Sequence, residues 1–443
     1  MRTYLLLAMC ALFLIQYFVG AQWLQYFVVS LALLAFISSA GKADRFPRLL
    51  GFLMMSTGMI IEWGKGTGFN GINQGIYLII PLICLITLAP LLSIPLKVSG
   101  FFQAISQLLR KLLDHPKKLY AGITGSLFFL SPIFNLASVR MISEFLEDLK
   151  LPSAMSAKSY LVGFTTALLW SPYFASVSLV LHYLNIPYSE YILYGLGLSI
   201  LSLLIGNLLF ALWEKHHPLT MDKESKEVLH ENHRKQLIQL SLIVVFLMGV
   251  CLLIEVLTHW SMVVIVCLLS ITIPLLYGLK RANRKPMIPL FAAYRNRTLP
   301  LMNNEIMLFM SAGMLAYALQ GTKIAIAIGM FLTNLSNISF FLFAFAVLAI
   351  VLCITYVGIH QIAVIGALSM QLNAAELGMT NLGLAMLLLL AWALSASLSP
   401  FSGLNLMVSR IAGISGVRVG LRANGLHIAL FAVIGITIIS FIA

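Results

Sequence analysis

Residues 398 to 408 read LSPFSGLNLMV, and 228 residues earlier positions 170 to 180 read WSPYFASVSLV. Each stretch lies inside an apolar run long enough to cross a bilayer (381–409 and 159–184), and each run is interrupted by a Ser-Pro pair. Proline clashes with a continuing helix but fits the first position of a new one, for which serine is a preferred cap. The two stretches therefore predict helices broken near mid-membrane, with Ser171-Pro172 and Ser399-Pro400 each starting a half-helix. A third pair, Ser131-Pro132, falls at a similar depth in the stretch 119–146. A half-helix that starts inside the bilayer presents its first amides and the positive end of its dipole.

The rest of the chain fits a membrane setting. Its 443 residues are 60% hydrophobic and 10% charged, with a mean hydropathy of +0.97, which calls for lipid around most of the surface. Apolar runs at 4–20, 22–40, 49–63, 74–95, 159–184, 189–213, 236–258, 260–279, 304–320, 381–409 and 424–443 predict about 11 transmembrane helices in an all-α fold. Spanning strands would be shorter and would alternate in polarity, so a β-barrel is excluded. The first run follows Arg2 and is long for a cleavable leader, so it is expected to stay as a helix. Five cysteines stand singly in apolar segments, without disulfide or metal-ligand spacing. The net charge of +13 sits in short loops, which points to membrane lipid as the partner of the basic residues and away from nucleic acid.

Those loops set an orientation. If the N-terminus is cytoplasmic and the spans alternate, all but Lys65 and Lys323 of the 28 lysines and arginines fall inside. Two apolar stretches must then enter and leave on one side: 119–146 and about 340–370, both expected to be re-entrant hairpins. A bacterial inner membrane is expected, crossed many times, with the N-terminus inside and the C-terminus outside.

The paired Ser-Pro stretches belong to a longer repeat. NQGIYL at 73–78 returns as NNEIML at 303–308, and FNLASVRMIS at 134–143 aligns loosely with HQIAVIGALS at 360–369. The first unit (69–213) begins outside on this topology and the second (298–443) inside, so the repeats are expected to be inverted. Each reads as a span, an amphipathic connector, a hairpin, a broken span and a closing span. Residues 1–68 form accessory helices, and 214–297 supply cytoplasmic linkers around a helix pair at 236–279. The linker EKHHPLTMDKESKEVLHENHRK at 214–235 carries several histidines but reads as a solvated connection. Inverted repeats with discontinuous helices are a signature of secondary transporters.

Unpaired backbone at membrane depth is tolerated only against protein or a water-filled cavity. The candidate substrate-binding residues therefore cluster at the breaks and hairpin tips. They are Ser131, Asn135 and Ser138 in the first hairpin, and Ser171, Pro172 and Ser176 in the first broken span. His360 and Gln361 sit in the second hairpin, and Ser399, Pro400, Ser402 and Asn405 in the second broken span. Converging amides and hydroxyls would suit an anion, and the preceding carbonyl ends would suit sodium. The competing reading makes the Ser-Pro pairs simple packing kinks. Arg140 could reach an anion or snorkel to the interface. Glu305 reads first as a helix-start residue, and deeply placed carboxylates are otherwise scarce.

Two units with a hairpin and a broken span apiece resemble the ion transporter superfamily, which includes divalent anion/sodium symporters and arsenite permeases. The resemblance covers 69–213 and 298–443 and is topological. It implies a scaffold domain, a moving transport domain built from the hairpins and broken helices, and commonly a homodimer. The hairpin-tip positions fall on Asn135 to Ser138 and on His360 and Gln361, and the broken-span positions on Ser171 to Ser176 and Ser399 to Asn405. Symporters of the group carry Ser-Asn-Thr at both tips, where this chain reads SPIFNLAS and GIHQIAV. The expectation is a secondary transporter of a small anionic solute, not an enzyme, with no cofactor beyond a coupling sodium ion or proton and no assigned metal site. The alternatives are a membrane enzyme or handler of a lipid-linked glycan, which needs a lateral groove lined by His360 or Glu305, and a non-catalytic subunit of a membrane complex.

Overall fold

The protein folds into helices that fall into two corresponding series. The structure, a computed structural model, describes residues 2–98, 101–147, 151–219, 231–279 and 281–443. Residues 220–230, half of the 214–235 linker read as a solvated connection, lie outside the described residues, and no strand occurs among the described ones. Three helices, α1 (Arg2–Val19), α2 (Gln22–Ala40) and α3 (Arg45–Gly64), precede the first series. That series begins with α4 (Gly68–Leu88), which runs through a tight turn into α5 (Ser93–Val98), and continues with α6 (Phe101–Lys111), α7 (Pro116–Phe134) and α8 (Leu136–Phe145). It ends with α9 (Ser153–Trp170), α10 (Ala175–Tyr183) and α11 (Tyr188–His216). Between the series lie α12 (Glu231–Thr258), α13 (Met262–Leu279), α14 (Arg281–Ala293), a wide turn at Tyr294–Thr298 and the short α15 (Leu299–Leu301). The second series is α16 (Asn303–Leu319), α17 (Lys323–Ile338), α18 (Phe340–Tyr356), α19 (Gln361–Gln371), α20 (Asn381–Leu398), α21 (Gly403–Ala412) and α22 (Asn424–Ile439).

Among the described residues, eight segments are long and apolar enough to cross a bilayer, and α16 with α17, bent by 78°, would make a ninth if counted as one span. This is a multi-pass helical membrane protein. The segments include α9 with α10 and α20 with α21, which read as single spans of 31 and 32 residues despite their breaks. Exposed apolar side chains such as Leu204, Phe246 and Leu276, each more than 60% exposed, mark surface suited to lipid.

Packing repeats between the series. Helix α9 packs on α7 and α11, as α20 packs on α18 and α22. Across the two series α4 meets α16, α9 meets α20, and α11 meets α22. The short helices cross over, α8 against α21 and α19 against α10. Both broken helices are the most enclosed parts of the molecule, since every residue from Tyr160 to Ser171 and from Gly383 to Ser397 is buried. An element apolar on all sides is stable only when surrounded, and these two are.

The Ser-Pro pairs act differently from the expectation. Ser171 and Ser399 do not start half-helices; each ends the preceding helix, with extended ψ of 125° and 121°. A residue before proline is pushed out of the helical region, so the serine is the stop signal. Each serine hydroxyl then accepts the amide two residues on, from Tyr173 at 3.3 Å and Phe401 at 3.3 Å, which closes a Ser-turn. The next helix begins only after that turn, with Phe174 at the cap position of α10 and Ser402 capping α21. Ser131-Pro132 lies within the last turn of α7 and starts nothing.

Candidate functional site

The last three carbonyls of α9 have no helical partners, and the fold supplies others. Just ahead of them Thr166 O also accepts from Ser199 Oγ (2.7 Å) and Ala167 O takes the Ser171 amide that closes the helix (3.1 Å), while Leu168 O accepts from Ser176 Oγ (2.8 Å). Leu169 O and Trp170 O accept from the hydroxyls of Tyr191 (2.5 Å) and Tyr188 (2.6 Å). At the second break Ala396 O accepts from Ser402 Oγ (2.6 Å) and Ser397 O from Asn405 Nδ2 (3.0 Å). The carbonyl ends expected to receive sodium are thus held by protein donors, completely so at α9.

At the first tip the chain folds back within a few residues, and at the second the helix breaks between Tyr356 and Gln361. Ser131 and Ser138 would stand about 10 Å apart along one straight helix, yet their hydroxyls lie 2.9 Å apart. The Ser138 proton goes to Asn135 O (2.6 Å), so Ser131 donates to Ser138. The reversal turns on Asn135 at φ 50°, whose Oδ1 accepts the Leu136 amide (2.7 Å). At the other tip Gly358 takes φ 107°, a value suited to glycine, and His360 caps α19. His360 Nδ1 accepts the Ile362 amide at 3.2 Å, which leaves the proton of the neutral ring on Nε2.

One cavity of about 440 Å³ lies where these features meet. Four helices start at its wall: α8 with Leu136 and Ala137, α10 with Ala175 and Ser176, α19 with Gln361, and α21 with Gly403 and Leu404. Each is at least nine residues long. Among the described residues, the amides of Ala137, Ala175, Ser176, Gln361, Gly403 and Leu404 have no protein acceptor. Helix starts carry roughly half a positive charge each, so four of them form a strongly anion-favouring wall.

Of the candidates read from sequence, Asn135, Ser176, His360, Gln361 and Ser402 line this cavity. Ser131 and Ser138 are buried behind the first tip in their mutual hydrogen bond. Ser171 and Ser399 are also buried, and Ser399 Oγ donates to Thr355 O at the end of α18 (2.8 Å). Pro172 and Pro400 shape the turns, with Pro172 O accepting from Ser178 Oγ (2.8 Å). Asn405 is buried and ties the break together instead of lining the cavity. Arg140 is elsewhere, paired with Glu144 at 2.8 Å on an exposed helix face.

Two charged residues outside the substrate-binding candidates reach the cavity: Lys97 at the end of α5 and Glu305, which lies in the first turn of α16 as its helix-start reading expected. Lys97 had counted only as a cytoplasmic loop charge. A usable signal was LAPLLSIPLKV at 88–98, whose two prolines break the span just before the lysine. Aromatic rings fill much of the remaining wall, including Phe164, Phe174, Phe309 and Trp392. Among the described residues no three His, Cys, Asp or Glu side chains cluster as metal ligands would. No protein-family model matches the chain, and no curated protein matches it in sequence.

Proposed function

We propose that the protein is a secondary transporter that moves an anionic organic solute through the cavity by alternating access. The convergence of four helix starts on one cavity carries this reading, because it concentrates donors and positive dipole ends where a solute can sit. The packing pattern supports an inverted repeat. Contacts between the series recur with roles exchanged, α8 on α21 and α19 on α10, as two units related by a two-fold axis require. Two such units can trade conformations and expose a shared site alternately to each side. The hairpins would be re-entrant, and α1, α3 and α16 would join the eight segments to give the 11 spans of the charge-derived topology. A likeness to the ion transporter superfamily agrees with this plan, as does a bacterial inner-membrane location.

The wall of the cavity includes Leu290, Tyr294, Thr298 and Met302 from the basic linker region and Lys97 from a basic loop. On the charge-derived topology these lie on the cytoplasmic side, so this conformation would open inward. The test is uptake of radiolabelled carboxylate-bearing solutes, amino acids included, into proteoliposomes under imposed sodium, proton or no gradient. Accumulation of at least one of them above protein-free vesicles is expected. If none accumulates under any gradient, the transport reading fails.

A further inference from the structure

A site for a small inorganic anion or a simple dicarboxylate would need little beyond the four helix starts. This cavity holds more. At about 30 Å³ per water, 440 Å³ corresponds to roughly 15 waters, or a solute with a similar number of heavy atoms. Its broad walls are aromatic: Phe164 meets Phe174 edge-on at 5.4 Å, Phe309 lies 5.3 Å from the His360 ring, and Trp392 stands on α20. Water held against such walls would gain from being displaced by an apolar body.

The charges are of both signs. Lys97 adds a cation to the anion-favouring helix starts, and Glu305 places a carboxylate at the same cavity. Both side chains are exposed to it, and among the described residues neither has an ion-pair partner; Glu305 accepts only its own backbone amide, unlike Glu62, which is bound by Lys65 and Thr67. A purely anionic solute would leave Glu305 unanswered and repelling. Opposite charges placed on a solute's two polar groups would satisfy both ends.

We propose that the solute class is an amphipathic zwitterion: a carboxylate held by the helix starts and Lys97, an ammonium held by Glu305, and an apolar or aromatic body against the ring-lined wall. This rests on the transport reading, keeps the anionic group of its solute and adds a cationic one. The cation can also lie over an aromatic face, which adds to the selection.

The test uses full-length protein in proteoliposomes, with binding and uptake measured for L-tryptophan, L-phenylalanine, phenylpropionate, phenethylamine and succinate. The zwitterions should bind and accumulate in preference to phenylpropionate, which lacks the ammonium, and to phenethylamine, which lacks the carboxylate. Glu305→Gln should weaken L-tryptophan binding on the order of tenfold or more, as for loss of a close charge pair, while phenylpropionate binds unchanged or better. Lys97→Gln should weaken both acids. If phenylpropionate or succinate accumulates and the zwitterions do not, or if Glu305→Gln leaves the tryptophan-to-phenylpropionate ratio unchanged, the zwitterion assignment is overturned and anion transport stands. If nothing in the panel binds or accumulates, both fall.

Discussion

Each series closes past its break on a glycine, Gly195 in α11 and Gly420 in the wide turn Arg418–Ala423 that leads into α22, and that contact can be tested directly. A methyl group on Gly420 would lie 2.8 Å from Leu398 O, 2.8 Å from Ser397 O and 3.0 Å from Asn405 Nδ2. All three are fixed, since two are backbone oxygens and the third is the amide that satisfies Ser397 O. Ordinary contact begins near 3.4 Å, so Gly420→Ala requires the segment to retreat by roughly half an ångström. Overpacking of this kind costs about 1–3 kcal/mol, and loss of the Asn405 bond would add about 1 kcal/mol. The thermal midpoint of the detergent-purified protein should fall on the order of 5 °C, at about 2–4 °C per kcal/mol. Gly425→Ala is the control on the same stretch. Its added methyl meets only Leu421 Cδ1 at 3.9 Å, and alanine favours a helix over glycine by about 1 kcal/mol, so its midpoint should hold or rise. Gly195→Ala should repeat the Gly420 result, because its methyl would meet Leu169 O at 2.6 Å beside the first break. If Gly420→Ala melts and transports as Gly425→Ala does, the closing segment does not press on the break.

Other contacts give independent checks. Glu255 accepts the amides of Tyr188 (2.8 Å) and Ser189 (2.8 Å) and so closes the start of α11 from α12. Glu255→Ala should cost about 1–3 kcal/mol through two orphaned amides, with Glu255→Gln intermediate, both read as thermal midpoints; an unchanged Glu255→Ala midpoint would deny the cap. Ser402→Ala removes both the acceptor for the Asn405 amide (3.0 Å) and the donor to Ala396 O (2.6 Å), so it should lose about 1–2 kcal/mol and slow uptake. Ser402→Thr should recover most of each, and recovery of neither would mean the hydroxyl is not the cap. Reporter fusions after Lys42, Lys117, His216 and Ala443 should place the first three inside and the last outside, and any one reversed would break the proposed topology.

Much of the fold was legible in the sequence because its determinants are local. Length and hydropathy predicted long apolar helices, and the repeated Ser-Pro marked where two of them break, at Ser171 and Ser399. What those pairs do was misread because two local rules compete at one dipeptide. Serine before proline can cap a new helix, but proline restricts the residue ahead of it, and here the restriction wins. The true cap of α21, Ser402, was readable as a serine just ahead of an apolar run, whereas α10 starts from Phe174 and carried no such sign. Lys97 and Glu305 were not readable as partners, because they are far apart in sequence and only the folding of α5 against the α14 region and the placement of α16 bring both to one wall.

The scarcity of deeply placed charge in the sequence has a physical reading of its own. A lysine or arginine at the bilayer centre costs about 2.5–3.5 kcal/mol even on the milder scales. Helix starts offer positive potential without that side-chain cost, provided something else keeps the breaks intact. In this chain that work falls to neutral residues: Ser176 and Ser402 reach back to the carbonyls of the preceding helix, Tyr188 and Tyr191 reach in from α11, and Asn405 bridges the second break. Each leaves the start of the next helix turned toward the cavity with its amides available. An anion site built in this way is written in serines, asparagines and tyrosines, which a search for buried arginines or catalytic carboxylates passes over. It also confines the charged choice to the two residues at the cavity that are not committed to holding the breaks, Lys97 and Glu305, so that changing either should alter which solute is taken before it alters whether the protein folds.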